Sequence, residues 1–506
     1  MKYSKEQINE FVSKIKNNQM SIYDIPEDDE ETYETFKKGQ SNFTFQFGSQ
    51  LSRSILSRMK NLNSVYDLAS VTALGRPGPM KEIDHFIRLS NNEPTEDDLK
   101  HKMPVQFEPY FKNSYGLFIF QEQFIEVCRH VAGFNWSEAD EARKAVGKKN
   151  LAFIQAIKER FFAGCIKAGV SEQELEEFWV GLLDFASYSF NLSHAYCYAK
   201  LGYVTCFFLT HYPAEYLSSI MNKNSGDKDK LQEAIECCKE RNINVIVPDI
   251  LKSQMGFSAI DENNITYGLS AIKGIGKSCE PIIKTRQNYR IESIKDFFNI
   301  YAGKELGENK LKTLIEAGAL DSLCKKDELI KTRSILLYNF DNIFEEYKPK
   351  KHVKANQMSL FETNDLRINV PQNNDITWRR YRIHTLQLEK ELLGTYVSHN
   401  PIDYIEGEDD ELTSEIIDKY TNIKRKGIIT GIKKVTTKAG KQMCFVSMSG
   451  KNDNLELIVF PKTYDKIKDV LKVNFAINAK ISVEKKEKED KYELSYILQD
   501  CQTHEI

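Results

Sequence analysis

YSFNLSHAYCYAKLGYVTCFFLTHYPAEY, residues 188–216, runs from a polar opening into an apolar stretch without a break. Ser189-Phe190-Asn191-Leu192-Ser193-His194 supplies hydrogen-bonding side chains, and alanines, tyrosines and aliphatics then fill every helical face. A helix apolar all round is a buried helix, so this stretch predicts a central helix in a mostly helical region. Pro213 ends it, and PAEYLSSIMN restarts with proline in its first turn. Backbone N–H groups and the helix dipole at such a start point toward an anion. An ordinary cap has the same look, and both readings stand at this point.

Working outward, 506 residues suffice for several domains with cores of their own. Composition is that of a soluble protein, 41% hydrophobic and 28% charged, with formal net charge −3. The charge is regional: the end of the chain from about Asn422 is lysine-rich, whereas Asp24–Glu34 and Glu406–Glu411 are acidic, so a polyanion-binding surface would be local. Ten cysteines include no CxxC pair and no Cys/His cluster at zinc spacing, which argues for reduced thiols in a cytoplasmic setting. The opening MKYSKEQINEFVSKI lacks a signal-peptide core. The longest apolar run, near Tyr203–Leu209, is too short to span a bilayer. A secreted or membrane protein is not expected.

Residues 1–70 read as helices broken by an acidic loop at Pro26–Glu31. Gly75-Arg76-Pro77-Gly78-Pro79 holds one guanidinium on a stiff loop, either a rigid connector or a phosphate contact. Tyr115–Gln123, YGLFIFQEQ, is an apolar stretch closed by two glutamines. Ser137 with Asp140 approximates a capping box for a helix carrying Arg143 and Lys144, followed by Lys148 and Lys149. Cations near a helix C-terminus favour the dipole, so these residues read equally as a helix end or an anion contact.

RPGPM, YGLFIFQEQ, AGFNWSEADEARKAVGKKN, FASYSFNLSHAYCYA and THYPAEY stand in the order and spacing found in the fingers of bacterial C-family replicative DNA polymerases, which this chain resembles along nearly its whole length. The resemblance implies that Arg143, Lys144, Lys148 and Lys149 neutralise an incoming triphosphate, that Asn191, Ser193 and His194 position it, and that Arg76 assists. Leu192 stands where many members have lysine. Deoxynucleoside triphosphates would be the substrates and Mg2+ the metal. The family's metal-binding palm aspartates precede the fingers, and neither Asp227/Asp229 nor Pro248-Asp249 has a setting to replace them, so no metal ligand or catalytic residue is expected in this chain. The expectation is therefore the C-terminal part of a split polymerase, inactive alone and completed by a partner chain carrying those aspartates. The starting methionine fits a separately translated chain. Alternatives are a non-catalytic DNA- and clamp-binding derivative and a stand-alone polymerase with a replacement metal site.

Beyond the fingers, Tyr267–Lys277 contains IKGIG, a helix-hairpin-helix signature in which Lys273, Gly274, Ile275, Gly276 and Lys277 would approach a duplex phosphate. A degenerate copy follows at Asn309–Leu320, and paired hairpins track a backbone independently of base sequence. Between about Tyr347 and Asp375 the chain reads as a mobile linker. Gln357, Leu360 and Phe361 within it form either an incidental apolar island or a docking peptide; the resemblance implies a sliding-clamp motif. From Asn422 to Asp500, five alternating segments with a helical insert at Tyr464–Leu471 predict an OB-fold. Its lysines suit either a nucleic-acid groove or a solvated exterior, and Phe445 and Phe460 either base stacking or the core.

The expected fold is thus multidomain α+β: mostly α-helical fingers and hairpin regions, then a small all-β OB-fold. The expected divisions are 1–70 (end of the palm and entry to the fingers), 71–230 (fingers), 231–325 (tandem hairpins), 326–420 (linker, clamp motif and connecting helix) and 421–506 (OB-fold). The expected partners are primer-template DNA, the clamp and the palm-bearing chain, with no membrane.

Overall fold

The central helix spans Leu192–His211, capped by Asn191, whose side chain accepts from His194 N, and closed at Tyr212 before Pro213. The computed structural model that contains it describes residues 1–76, 79–96, 98, 103–147, 151–185, 189–323, 329–349, 375–399, 401–405, 407–410, 412, 422–451, 454–473, 475–488 and 491–505. Ala195, Ala199, Gly202, Tyr203, Val204, Cys206, Phe207 and Leu209 are buried, so the helix is a core element as its all-round apolar surface requires. It packs against the helices Val65–Leu74 and Glu30–Lys37. Gly202 is needed at the crossing, because a Cβ there would fall 2.4 Å from Phe47 Cε2 and 2.8 Å from Phe45 O.

The acidic segment Pro26–Glu31 is folded onto this helix rather than being a solvent loop. Asp29 is fully buried and caps the Glu30–Lys37 helix, accepting from Thr32 N at 3.0 Å and Thr32 Oγ1 at 2.6 Å. Its Oδ2 also meets His211 Nε2 at 2.8 Å. Glu27 pairs with Lys200 at 2.7 Å and accepts from Tyr196 Oη at 2.6 Å. Asp29 can be buried and Glu27 half-buried here because the central helix brings a donor to each, whereas Asp28 and Glu30 remain exposed.

Two compact units divide the chain, Met1–Ile220 and Met221–Ile506. The first holds a second aromatic core in which Phe107, Phe124, Phe161 and Trp179 are buried. The helices Gln121–His130, Trp136–Gly147, Leu151–Lys167 and Glu172–Phe185 contribute to it.

In the second unit, β1 (Asn244–Ile246), β2 (Ser258–Asp261) and β3 (Asn264–Thr266) form a small sheet in the order β1-β3-β2, with β1 parallel to β3. The IKGIG hairpin follows. Gly274 at φ +88° and Gly276 at φ +52° take left-handed backbone, and a Cβ at either would meet no atom within 4 Å, so conformation and not space calls for glycine. A buried ion cluster then ties three segments together. Arg333 donates to both oxygens of Asp321 and, through Nη1 at 2.6 Å, to Glu389 Oε2; Glu389 Oε1 accepts from Val397 N and Ser398 N at 2.7 and 2.8 Å. Gly318, at φ +79°, leaves the room that Arg333 occupies, since a Cβ would lie 2.2 Å from Nη2.

The last segment is a closed barrel of β4 (Asn422–Thr436), β5 (Gln442–Ser449), β6 (Asn454–Val459), β7 (Phe475–Lys488) and β8 (Lys491–Glu505), in the order β4-β5-β6-β8-β7, with β7 also pairing β4. β6 and β8 run parallel and the other pairs antiparallel. A helix, Pro461–Ile467, sits between β6 and β7. This is OB-fold topology. The insert starts at Pro461 and not at the predicted Tyr464, because proline is preorganised for a first helical turn. A register shift between Ile429 and Gly431 bends β4 where a small barrel must turn. Phe445 is half-buried, Phe460 is 46% exposed, and neither is in the barrel core, which removes the core alternative for both.

Candidate functional site

The site is assembled from a single turn upward. Gln123, buried at 7% exposure, accepts from Ile119 N and Phe120 N at 2.8 and 2.7 Å and donates through Nε2 to Ser114 Oγ at 2.7 Å and Leu117 O at 3.1 Å. A buried amide satisfied on both sides fixes the backbone around it. The extended residue it holds before the Gln121–His130 helix, Phe120, bridges in parallel to Phe190 just ahead of the central helix. Phe190 N donates to Ile119 O at 3.0 Å, and Gln121 N donates to Phe190 O at 2.9 Å.

Three side-chain groups converge on this seam. From the Trp136–Gly147 helix, Arg143 donates from Nε and Nη2 to Asp140 Oδ1 at 2.9 and 2.8 Å and from Nη1 to Gln121 Oε1 at 3.0 Å. Lys144 meets the other oxygen of Asp140 at 2.7 Å, and Lys144 first, then Arg143, holds the Asp140 carboxyl below its ordinary range. From the 75–76 turn, the Arg76 guanidinium lies 4.1 Å from the Phe190 ring centroid, a cation–π contact. From the start of the central helix, Ser193 Oγ donates to Asn191 Oδ1 at 2.6 Å, and the His194 ring lies 4.4 Å from that of Tyr198. Beside them is a cavity of about 590 Å³ lined by Tyr23, Phe45, Tyr196, Tyr198, Glu27 and Lys200, among others.

One expectation is revised. The start of the central helix does not stand open to an anion, because Glu122 is already there: it accepts from Leu192 N at 2.8 Å and from Asn191 Nδ2 at 2.7 Å. A carboxylate near a helix N-terminus is itself the anion that the dipole favours. Arg76, Arg143, Asn191, Ser193 and His194 are therefore gathered about Phe190 and Gln121, with Lys144 turned to Asp140; Lys148 and Lys149 lie outside the described residues. Sequence reasoning gave no role to Gln121, Glu122 or Gln123, and it paired Asp140 with Ser137 in a capping box that Asn135 and Glu138 form instead, Asn135 N donating to Glu138 Oε2 at 2.9 Å and Glu138 N to Asn135 Oδ1 at 3.0 Å. The signal for the first three was a polar QEQ directly behind an apolar run, which in a folded protein needs partners.

A family model described as the bacterial DNA polymerase III alpha subunit finger domain matches residues 5–169, and a helix-hairpin-helix model matches 242–329. Proteins named DNA polymerase III subunit alpha align along most of the chain. That of Aquifex aeolicus is 31% identical over 89% of this chain and 37% of its own length. That of Bacillus subtilis is 28% identical over 92% and 41%, and that of Borreliella burgdorferi 30% over 90% and 40%. Along these stretches the chain is similar to the C-terminal portion of bacterial DNA polymerase III alpha subunits. It spans about two fifths of the length of these relatives.

Elsewhere in the chain, Lys273, Gly274, Gly276 and Lys277 are exposed at the hairpin. Ile275 is not: it is 3% exposed with its N–H bonded to Ile272 O, so it anchors the hairpin to the body. Lys310, from the second predicted copy, donates to Gly274 O. Gln357, Leu360 and Phe361 lie outside the described residues. Asp227 caps a helix by accepting from Lys230 N at 3.2 Å, and Asp249 accepts from Leu251 N and Ser322 Oγ at 2.8 Å each, both structural settings. Among the described residues no group of three or more His, Cys, Asp or Glu could hold a metal ion, and no helix is long and apolar enough to cross a membrane.

Proposed function

We propose that this chain serves DNA replication in the cytoplasm as the C-terminal part of a DNA-directed DNA polymerase, whose metal-binding palm aspartates are on a separate partner chain. In this reading the 1–70 segment leads into fingers at 71–230, hairpins at 231–325 grip the duplex, 326–420 tethers a sliding clamp through Gln357, Leu360 and Phe361, and the barrel at 421–506 binds nucleic acid. The observation that carries it is the meeting of Arg76, Arg143 and the Asn191–His194 opening on one seam, of which Arg76 and Arg143 lie within the residues that match the alpha-subunit finger model.

The chemistry asked of these residues is electrostatic. Nucleotidyl transfer builds negative charge on the leaving pyrophosphate, and preorganised cations stabilise it. Arg143 is preorganised by two acceptors, and Lys144 stands beside it, with Lys148 and Lys149 assigned to the same triphosphate. Asn191, Ser193 and His194 position the nucleotide from the other side. Mg2+ is assigned to the partner's aspartates, where it would supply charge neutralisation at the triphosphate and activation of the primer hydroxyl.

Primer extension by this chain, by the palm-bearing chain and by their mixture with Mg2+ and the four deoxynucleoside triphosphates tests the proposal. Synthesis by the mixture alone is expected. An inactive mixture leaves a non-catalytic DNA- and clamp-binding protein as the reading, and synthesis by this chain alone overturns both.

A further inference from the structure

Gln121 touches both arms of the seam. Its side-chain carbonyl accepts from Arg143 Nη1 at 3.0 Å, while its amide donates to Ser189 O at 3.2 Å and its backbone N–H to Phe190 O at 2.9 Å. Its neighbour Glu122 holds Asn191 and the first turn of the central helix. A side-chain amide presents an acceptor to a guanidinium and a donor to a carbonyl from two separate atoms at once. Without it, Arg143 keeps among the described residues Asp140, a partner on its own helix that also neutralises it.

We infer that Gln121 is a positioning residue for the nucleotide: it aims Arg143 and ties that cation to the 189–190 segment from which Asn191, Ser193 and His194 extend, so that the cationic and the polar arm meet the triphosphate as one piece. The inference rests on the nucleotide role proposed for Arg143. On the cationic side Gln121 acts through Arg143, so its loss costs less once that guanidinium is gone, when only the bond to Ser189 O remains to be lost.

Binding of the fluorescent nucleotide mant-dATP with Mg2+ to the full chain tests it, in the wild type, Q121A, R143A, Q121A/R143A and Q121E. Q121A is expected to weaken binding about tenfold, the worth of one hydrogen bond to a charged group, and the same change made in the R143A background to cost clearly less than it does in the wild type. Q121E keeps the size of the side chain, removes the donor to Ser189 and places a second carboxylate on the guanidinium; it is expected to weaken binding as well, and it stands in if Q121A does not fold. An equal further loss from Q121A in the R143A background, or unchanged affinity in Q121A and Q121E, overturns the inference while leaving the nucleotide reading intact. No binding by the wild type, or wild-type affinity in R143A, instead overturns that reading and the inference with it.

Discussion

Asp29 and His211 meet at 2.8 Å across 182 positions of sequence, joining the cap of one helix to the last turn of the central one. The Asp29 carboxyl is held below its ordinary value: burial works to raise it, and the bonds from His211 and Thr32 outweigh burial. A carboxyl with a depressed folded pKa contributes stability that is full above its unfolded pKa and disappears as pH falls through the folded one. Asp29→Asn should lower stability at neutral pH by about 1–3 kcal/mol, the range for disturbing a buried hydrogen bond. It should also flatten the loss on acidification. Urea unfolding of both proteins from neutral to about pH 3 checks this; parallel pH profiles would contradict it.

Gly202→Ala places a methyl group against Phe47 and the Phe45 carbonyl at the crossing of the central helix. Overpacking of this kind costs about 1–3 kcal/mol, even though alanine is the better helix former. A higher denaturation midpoint than wild type would mean that propensity outweighs the clash.

Removing Arg333 leaves Asp321 and Glu389 buried without their cation. Arg333→Met should destabilise the second unit by about 3–5 kcal/mol. Truncating all three partners together, as Arg333→Met with Asp321→Leu and Glu389→Leu, should recover part of that loss, because a buried ion cluster often adds little over an apolar one. Thermal melting of the two variants side by side decides it.

Arg143→Ala in the reconstituted polymerase should slow nucleotide incorporation by roughly 100-fold, about 3 kcal/mol of barrier, with duplex affinity unchanged. Single-turnover incorporation and a duplex-binding titration separate the two effects. An unchanged incorporation rate would make Arg143 a helix-capping residue only.

Changing Leu360 and Phe361 to alanine should abolish clamp-dependent processivity while leaving distributive synthesis intact, since a weak tethered motif acts through effective concentration. Product lengths with and without clamp measure it, and equal processivity in mutant and parent would show the linker residues to be incidental.

Periodicity and turn chemistry reach far into this fold. The all-round apolar surface after Asn191 and the stop at Pro213 place the central helix; alternation and glycine turns place the barrel strands; paired glycines place the hairpin. What stays hidden is polar and long-range. Asp29 reads as loop acid because its partner is 182 positions away. Glu122 reads as surface charge because nothing local says that it will cap a helix beginning seventy residues on. Gln121 gains a role only when the 189–190 segment lies beside it. Local spacing encodes elements, whereas these pairings arise from tertiary packing.

The central helix comes late in its own unit, behind almost every residue that packs on it. A ribosome adding about 5–20 residues per second releases the 29–74 segment roughly six to thirty-six seconds before residues 192–211. Phe36, Phe47 and Leu68, fully or almost fully buried in the finished core, have no central helix to close on in that interval. Nascent chains of this protein therefore present apolar surface to chaperones until translation passes His211, and a ribosome stalled before that point would hold an aggregation-prone fragment.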